Sequence, residues 1–322
     1  MSDYFSRMSF ANQSVTNITT EHQYQGLLER VLLSALITAP CCVFLFINGT
    51  MLFILRSKAV FCETSRYILL YNLLFADTTL MVLSQIMFIL SSIRVRLMYP
   101  VCGFLIMLAD LTKEISPLTL VVMSVERYVA VCYPLRHATI ITMRNTWMAI
   151  FTVWAFSSLN VLTRVILLLH FRFEDLESLQ MTYICSARVM WIFRKSNHYE
   201  KAYTVFVFVS AGVAITSSYI GVMIAARSAS TDKASTRKTR NTLLLHLIQL
   251  GLSLSSTIQN PLLIAISGFV TRLLIIRIQI IFYVCIFIFP RCLSSLIYGI
   301  RDQSIRPLLT YHLCCRLRLS ED

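Results

Sequence analysis

The chain has 322 residues, of which 57% are hydrophobic and 14% charged, with a mean hydropathy of +0.69 and a formal net charge of +13. A soluble domain carries about 25% charged residues and has nowhere to hide so much apolar surface, so a soluble fold is excluded and a membrane protein is implied. The positive balance is that of an inner face lying against anionic lipid, and it calls for no nucleic acid.

Residues 1–30 are polar and carry two acceptor triplets, Asn12-Gln13-Ser14 and Asn17-Ile18-Thr19, which predict glycosylation at Asn12 and Asn17 and an extracellular amino terminus. A third triplet, Asn48-Gly49-Thr50, falls inside an apolar run and is predicted to be unusable. No basic start followed by an apolar core precedes residue 31, so the first apolar run is expected to direct insertion itself.

Seven apolar runs follow, at 31–55, 67–92, 101–125, 146–170, 202–226, 241–270 and 273–298. Each exceeds the roughly 20 residues needed to cross a bilayer as a helix, and none alternates like the roughly 10-residue strand of a barrel. The sixth is over-long, which predicts tilt or a start inside the cytosol. The fold class is therefore an all-α membrane protein, a seven-transmembrane helix bundle. It divides into an extracellular segment (1–30), the bundle (31–298) and a cytosolic tail (299–322). About 15 basic residues fall on the loops assigned to the inner side, against about 11 outside, which agrees with that orientation.

Of the ten cysteines, Cys102 opens the third run and Cys185 lies in the loop between the fourth and fifth, both on the oxidising side. A disulfide between them would tie that loop over the bundle. Cys41, Cys42, Cys132, Cys285 and Cys292 read as packed thiols, and Cys62 lies in a reducing loop.

The third run holds three ionisable residues, Asp110, Lys113 and Glu114, spaced three and four apart and so sharing or flanking one helical face. Charges inside a span are expensive, and these are predicted to point inward to water, to a ligand or to one another. An internal salt-bridge cluster that includes Arg164 or Arg291 is the equal alternative. At the inner end the run closes on Glu126-Arg127-Tyr128 within "MSVERYVAVCYPLRHATI", where Tyr133-Pro134 should stop the helix.

The extracellular amino end, seven runs, Cys102 and Glu126-Arg127-Tyr128 together resemble a rhodopsin-like G-protein-coupled receptor. Asn48 in the first run, Asn72 and Asp77 in "NLLFAD" and Tyr298 in "SSLIYGIRD" extend the resemblance along most of the chain. Within that superfamily, "MSVERYVAVCYPLRHATI" is similar to the odorant-receptor signature. "KASTRKTRNTLLLHLIQLGL" is similar to the fish and amphibian branch of those receptors.

The resemblance implies a ligand cavity in the outer half of the bundle beside Asp110, Lys113 and Glu114. Phe104, Met107, Phe206, Gln259 and Asn260 are candidate walls, though bundle core is the simpler role for each. It implies a polar pocket of Asn48, Asp77, Ser116 and Ser294 in which such receptors hold sodium. Ser294-Ser295 replaces the family's Asn-Pro pair, which removes one pocket ligand and the proline kink. Glu126 and Arg127 form a latch, since an arginine at a helix end in the membrane needs a partner while the bundle is shut. With Tyr128, Tyr298 and the basic residues Arg237, Lys238 and Arg240, it marks the docking face for a heterotrimeric G protein. After Tyr298 the tail reads as a short amphipathic helix, with Cys314 and Cys315 as candidate palmitoylation sites.

The implied function is that of an odorant-type receptor in the plasma membrane, multi-pass, without cofactor. It would bind an extracellular small molecule, polar and water-soluble given the ionisable face, and raise cyclic AMP through a stimulatory G protein. A non-olfactory rhodopsin-like receptor for a peptide or metabolite is the nearest alternative, because shared machinery does not name a ligand. An enzyme is disfavoured, as no zinc helix, phosphate loop or nucleophile elbow occurs. A transporter or channel is the more remote alternative, as the sequence shows no inverted repeat or paired broken helices. A retinal pigment would need a lysine within 273–298, which has none.

Overall fold

The computed structural model describes residues 27–93, 95–169, 185, 194–228, 272–302 and 304–318, with isolated positions between 241 and 251. The first four spans are the helices Leu27–Ser57, Ser65–Ser92, Tyr99–Cys132 and Met143–Leu169, and the fifth is Arg194–Ser228. The run at 241–270 lies outside the described residues apart from those isolated positions. Five of the described helices are long and apolar enough to cross a membrane.

Several helices outrun the apolar stretches that mark them, because backbone hydrogen bonding continues past the hydrocarbon boundary. The third helix, at 34 residues, is about 50 Å long against a hydrocarbon core of about 30 Å. Pro100 sits in its first turn, where a missing N–H costs nothing, and Tyr133 caps its end before a single 3-10 turn, Pro134–Arg136.

The seventh span is built in three pieces: Arg272–Phe282, a π-helical stretch Tyr283–Ile288, and Phe289–Arg301. Among the described residues, Ile280–Leu293 is its apolar stretch. Losing the Asn-Pro pair was expected to remove the proline irregularity here. Pro290 instead stands at the start of the last piece, directly after the π stretch, and a proline's missing donor favours such a local rearrangement.

The third helix is central, packing on the second, fourth and fifth, while the seventh closes against the first and second. Leu69, Leu70, Leu73, Leu74, Leu120 and Met123 form the main apolar core between them. Polar ties are few and specific: Asn72 Nδ2 donates to Thr119 Oγ1 at 3.0 Å, and Trp154 Nε1 donates to Asn72 Oδ1 at 2.8 Å, joining three helices at one point. Outward-facing residues such as Leu36, Phe53, Phe151, Val213 and Ile224 are exposed and apolar, the surface that lipid would cover. Of the thiols expected to be packed, Cys41 and Cys292 are buried, whereas Cys42 and Cys285 are exposed on this apolar exterior. A small hydrophobic residue is equally at home on either side of a span.

Candidate functional site

At one end of the bundle, Cys102 at the start of the third helix is joined by a disulfide to Cys185, with Cα atoms 5.7 Å apart. About two to four turns further along, the third helix presents Asp110, Lys113, Glu114 and Pro117 on a single stripe. Arg164 from the fourth helix and Tyr203, Thr204, Val207 and Phe208 from the fifth complete a small cavity around them. About 20 Å³ is open to the centres of water molecules there, room for one or two waters.

The charges inside this cavity are arranged unequally. Arg164 is buried, its Nη1 is 2.9 Å from Asp110 Oδ2 and its Nη2 is 3.8 Å from Glu114 Oε1. Asn160 Nδ2 donates to the same Glu114 oxygen, and the Tyr203 hydroxyl lies beside that carboxylate. Arg164 therefore bridges two acids one turn apart. Lys113 lines the cavity half-buried and makes no ion pair among the described residues. Of the two arginines considered for this cluster, Arg164 belongs to it and Arg291 does not.

The expected cavity walls fare differently. Phe104 and Phe206 are 61% and 63% exposed on the outside of the bundle and do not line the cavity. Each is turned away from the inward stripe of its own helix, which for the third runs through Cys102, Gly103, Ile106 and Asp110, and for the fifth through Tyr203, Thr204, Val207 and Phe208. Met107 is partly buried on the flank. Gln259 and Asn260 lie outside the described residues, as do Asn12, Asn17, Arg237, Lys238 and Arg240.

Deeper in the bundle, Asn48, Asp77 and Ser116 come from three helices and are all buried. Ser116 is close enough to act on the Asp77 carboxylate, yet no donor reaches hydrogen-bonding geometry with either oxygen. The side chain of Ser294 lies outside the described residues; its neighbour Ser295 donates from Oγ to Asn48 Oδ1 at 2.5 Å. Asn48 Nδ2 donates to the Arg291 carbonyl at 3.3 Å.

Arg291 itself is 3% exposed, its guanidinium stands 4.3 Å from the centre of the Phe287 ring, and its charge acts on Asp77. Sodium does not fit this donor set. A second cation beside Asp77 would be repelled by the Arg291 guanidinium, whose charge already acts on the same carboxylate.

At the opposite end, Arg127 Nε is 3.3 Å from Glu126 Oε2, and His137 Nε2 approaches Glu126 Oε1 at 3.9 Å from the short helix after Pro134. The Tyr298 hydroxyl of the seventh span reaches Arg127. Tyr128 packs edge-on to Tyr133 with ring centroids 6.0 Å apart, and its ring lies against Gly221 of the fifth helix so closely that a Cβ there would overlap it.

Sequence reasoning missed the neighbouring ion pair. Arg66 Nη2 is 2.6 Å from Asp302 Oδ2, the Tyr67 hydroxyl is 3.3 Å from the same carboxylate, and the guanidinium lies 5.4 Å from the Tyr298 ring. Asp302 Oδ1 also accepts from the Ser304 backbone N–H, and the Asp302 carbonyl accepts from Arg306 N, which starts the terminal helix Arg306–Arg318. Asp302 stands in the "YGIRD" stretch, and its spacing from the terminal helix is that of a capping residue, the one signal that pointed to it. Cys314 and Cys315 are in the last turns of that helix.

The chain matches the 7 transmembrane receptor (rhodopsin family) profile over residues 47–314. It is 33% identical over 274 residues to Odorant receptor 131-2 of Danio rerio, covering 85% of this chain and 83% of that protein. It is also similar to Olfactory receptor 2AG1 of Homo sapiens, at 32% identity over 72 residues, 22% of this chain and 23% of that one. The chain belongs to the rhodopsin family of seven-transmembrane receptors, and is thus a multi-pass plasma-membrane receptor and not an enzyme.

Proposed function

We propose that this rhodopsin-family chain is an odorant-type receptor that binds a small, polar, water-soluble molecule from outside the cell in the outer half of its bundle, beside Asp110, Lys113 and Glu114. Binding activates a heterotrimeric G protein of the stimulatory class and raises cyclic AMP. The observation that carries this reading is Lys113, a lysine that lines the cavity without an ion pair while Arg164 is held by Asp110 and Glu114. A hydrocarbon ligand would strip water from that ammonium and return nothing, whereas a ligand with an acceptor or an acidic group replaces the lost hydration.

The remaining parts have corresponding roles. Residues 1–30 form the extracellular segment, glycosylated at Asn12 and Asn17; residues 31–298 form the receptor domain; residues 299–322 form the cytosolic tail, held to the inner leaflet by acylation at Cys314 and Cys315. Glu126, Arg127, Tyr128 and Tyr298, with Arg237, Lys238 and Arg240, form the docking face for the G protein. The ligand favours the arrangement in which that face is open, and the coupling is a population shift between two bundle states.

Cells expressing the full chain, challenged with pools of amino acids, amines, organic acids and aliphatic odorants, test this reading through cyclic AMP, with ion flux recorded in parallel. The expected result is a cyclic AMP rise to a polar pool, lost in Lys113→Met at unchanged surface delivery. A response to aliphatic hydrocarbons alone, or one indifferent to Lys113→Met, overturns the ligand assignment; an ion current without cyclic AMP overturns the coupling. Expression confined to cells outside the olfactory epithelium would favour a metabolite receptor with the same machinery.

A further inference from the structure

Asp77 and Arg291, residues of opposite charge, are buried in the bundle at 0% and 3% exposure. Asn48 lies between their helices, its Nδ2 3.9 Å from Met81 Sδ, one turn beyond Asp77, and 3.3 Å from the Arg291 carbonyl, while no guanidinium nitrogen among the described residues comes within 4.0 Å of the Asp77 carboxylate. Among the described residues, both Asp77 carboxylate oxygens and the Arg291 Nε are without a hydrogen-bond partner, although each charge acts on the other. Isolated, either ion would be costly in this setting; a pair of opposite charges offsets much of that cost.

Arg291 is also built into position. Its guanidinium rests on the Phe287 ring, and its backbone carbonyl is held by Asn48, whose other end is held by Ser295. The ring stack continues through Tyr283 to Phe88 of the second helix, with centroids 5.1 and 6.5 Å apart. The π-helical stretch Tyr283–Ile288, followed by Pro290, precedes this point in the helix and sets the face that residue 291 presents.

We propose that Arg291 is the resident cation of this chamber, a counter-ion to Asp77 tethered through the seventh helix in the place a dissociable sodium ion would hold. A free cation stabilises the state it binds by mass action, so its effect rises and falls with the salt outside. A tethered guanidinium is present at unit stoichiometry whatever the medium, which makes the folded receptor indifferent to sodium. It also couples the second helix to the seventh directly, since any motion of the seventh carries the counter-ion with it. Arg291 is a positioning residue in this account, because it acts on Asp77 and touches no ligand.

The test is independent of ligand and of G-protein coupling. Thermal unfolding of the purified full chain is measured in sodium chloride and in N-methylglucamine chloride at one ionic strength. The unaltered receptor should give the same midpoint in both salts. Arg291→Ser should lower the midpoint in N-methylglucamine and recover part of the loss in sodium, because the freed carboxylate can now take the ion. Arg291→Lys should retain stability and sodium indifference, and the double change Asp77→Asn with Arg291→Leu should be more stable than Arg291→Ser and insensitive to sodium.

A higher midpoint in sodium for the unaltered receptor overturns the proposal, and needs no variant to fold. So does an Arg291→Ser protein as stable as the parent in both salts. Failure of the odorant assignment would leave all of these outcomes unchanged.

Discussion

Arg164 and Lys113 stand less than one helix diameter apart in the same cavity, yet removing them should have opposite consequences. Arg164 neutralises two acids at 2.9 and 3.8 Å, and breaking a buried pair by removing one partner leaves an uncompensated charge at a cost of about 3–5 kcal/mol. Arg164→Leu is therefore expected to lose most surface delivery, measured by antibody labelling of intact cells. Lys113→Met deletes a charge that makes no ion pair among the described residues, so delivery should persist while agonist potency changes. If Arg164→Leu reaches the surface like its parent, the triad is not a structural element. At the other end, Gly221→Val drives a side chain into the Tyr128 ring. Overpacking of this kind typically costs about 1–3 kcal/mol, and here the ring that must yield belongs to the Glu126-Arg127-Tyr128 cluster. The expected reading is reduced cyclic AMP output with agonist binding retained.

At the level of elements, the spans were legible because length and hydropathy suffice to mark a helix that crosses lipid. The ionisable cluster on the third helix and the Glu126-Arg127 end were legible for the converse reason, that a charge in a span is too costly to be there idly. The rotational phase of each helix was not. Helices that are apolar all round carry little periodic signal of which face is inside, which is why Phe104 and Phe206, read as candidate walls or more simply as bundle core, are instead exposed on the outside of the bundle. Nor does a sequence say which of two arginines meets which acid: Arg164 with Asp110, and Arg291 with Asp77, depend on packing between distant segments. The Arg66 pair with Asp302, 236 positions apart, is the extreme case. It fixes the junction between the seventh span and the terminal helix, which also packs the Leu309 side chain over Gly299 so closely that a Cβ there would have to displace it. Asp302→Ala removes an ion pair, a tyrosine hydrogen bond and a backbone cap together. Hydrogen exchange across 304–318 should accelerate in that variant, and by linkage output through Tyr298 should weaken. Unaltered protection of that helix would show the junction to be held by apolar contacts alone.

Across the whole molecule, one helix carries both ends of the signalling problem. Asp110 and Arg127 lie on the third helix 17 positions apart in the sequence, which is about 25 Å along its axis. A rigid rod alone transmits nothing; the two ends communicate only if the bundle has two arrangements that ligand and G protein both bias. The structure supplies candidates for what distinguishes them, because the helices that meet the third at the cavity are the fourth and fifth, while the seventh brings Tyr298 to Arg127. Arg127 is thus the residue whose partners must change when the seventh or fifth helix moves. Arg127→Ala leaves the Glu126 carboxylate beside His137 Nε2 at 3.9 Å, so the bundle should still assemble and the disulfide between Cys102 and Cys185 should still hold its outer loop. Cys102→Ser, by contrast, releases a closed loop of more than 80 residues, a constraint of typically about 2–5 kcal/mol, and should fail at folding or delivery. Measured side by side, Arg127→Ala should bind agonist at the surface without raising cyclic AMP, and Cys102→Ser should scarcely reach the surface. An Arg127→Ala receptor that signals with unchanged amplitude would mean that the cavity reaches the G protein by a route that bypasses the third helix's inner end.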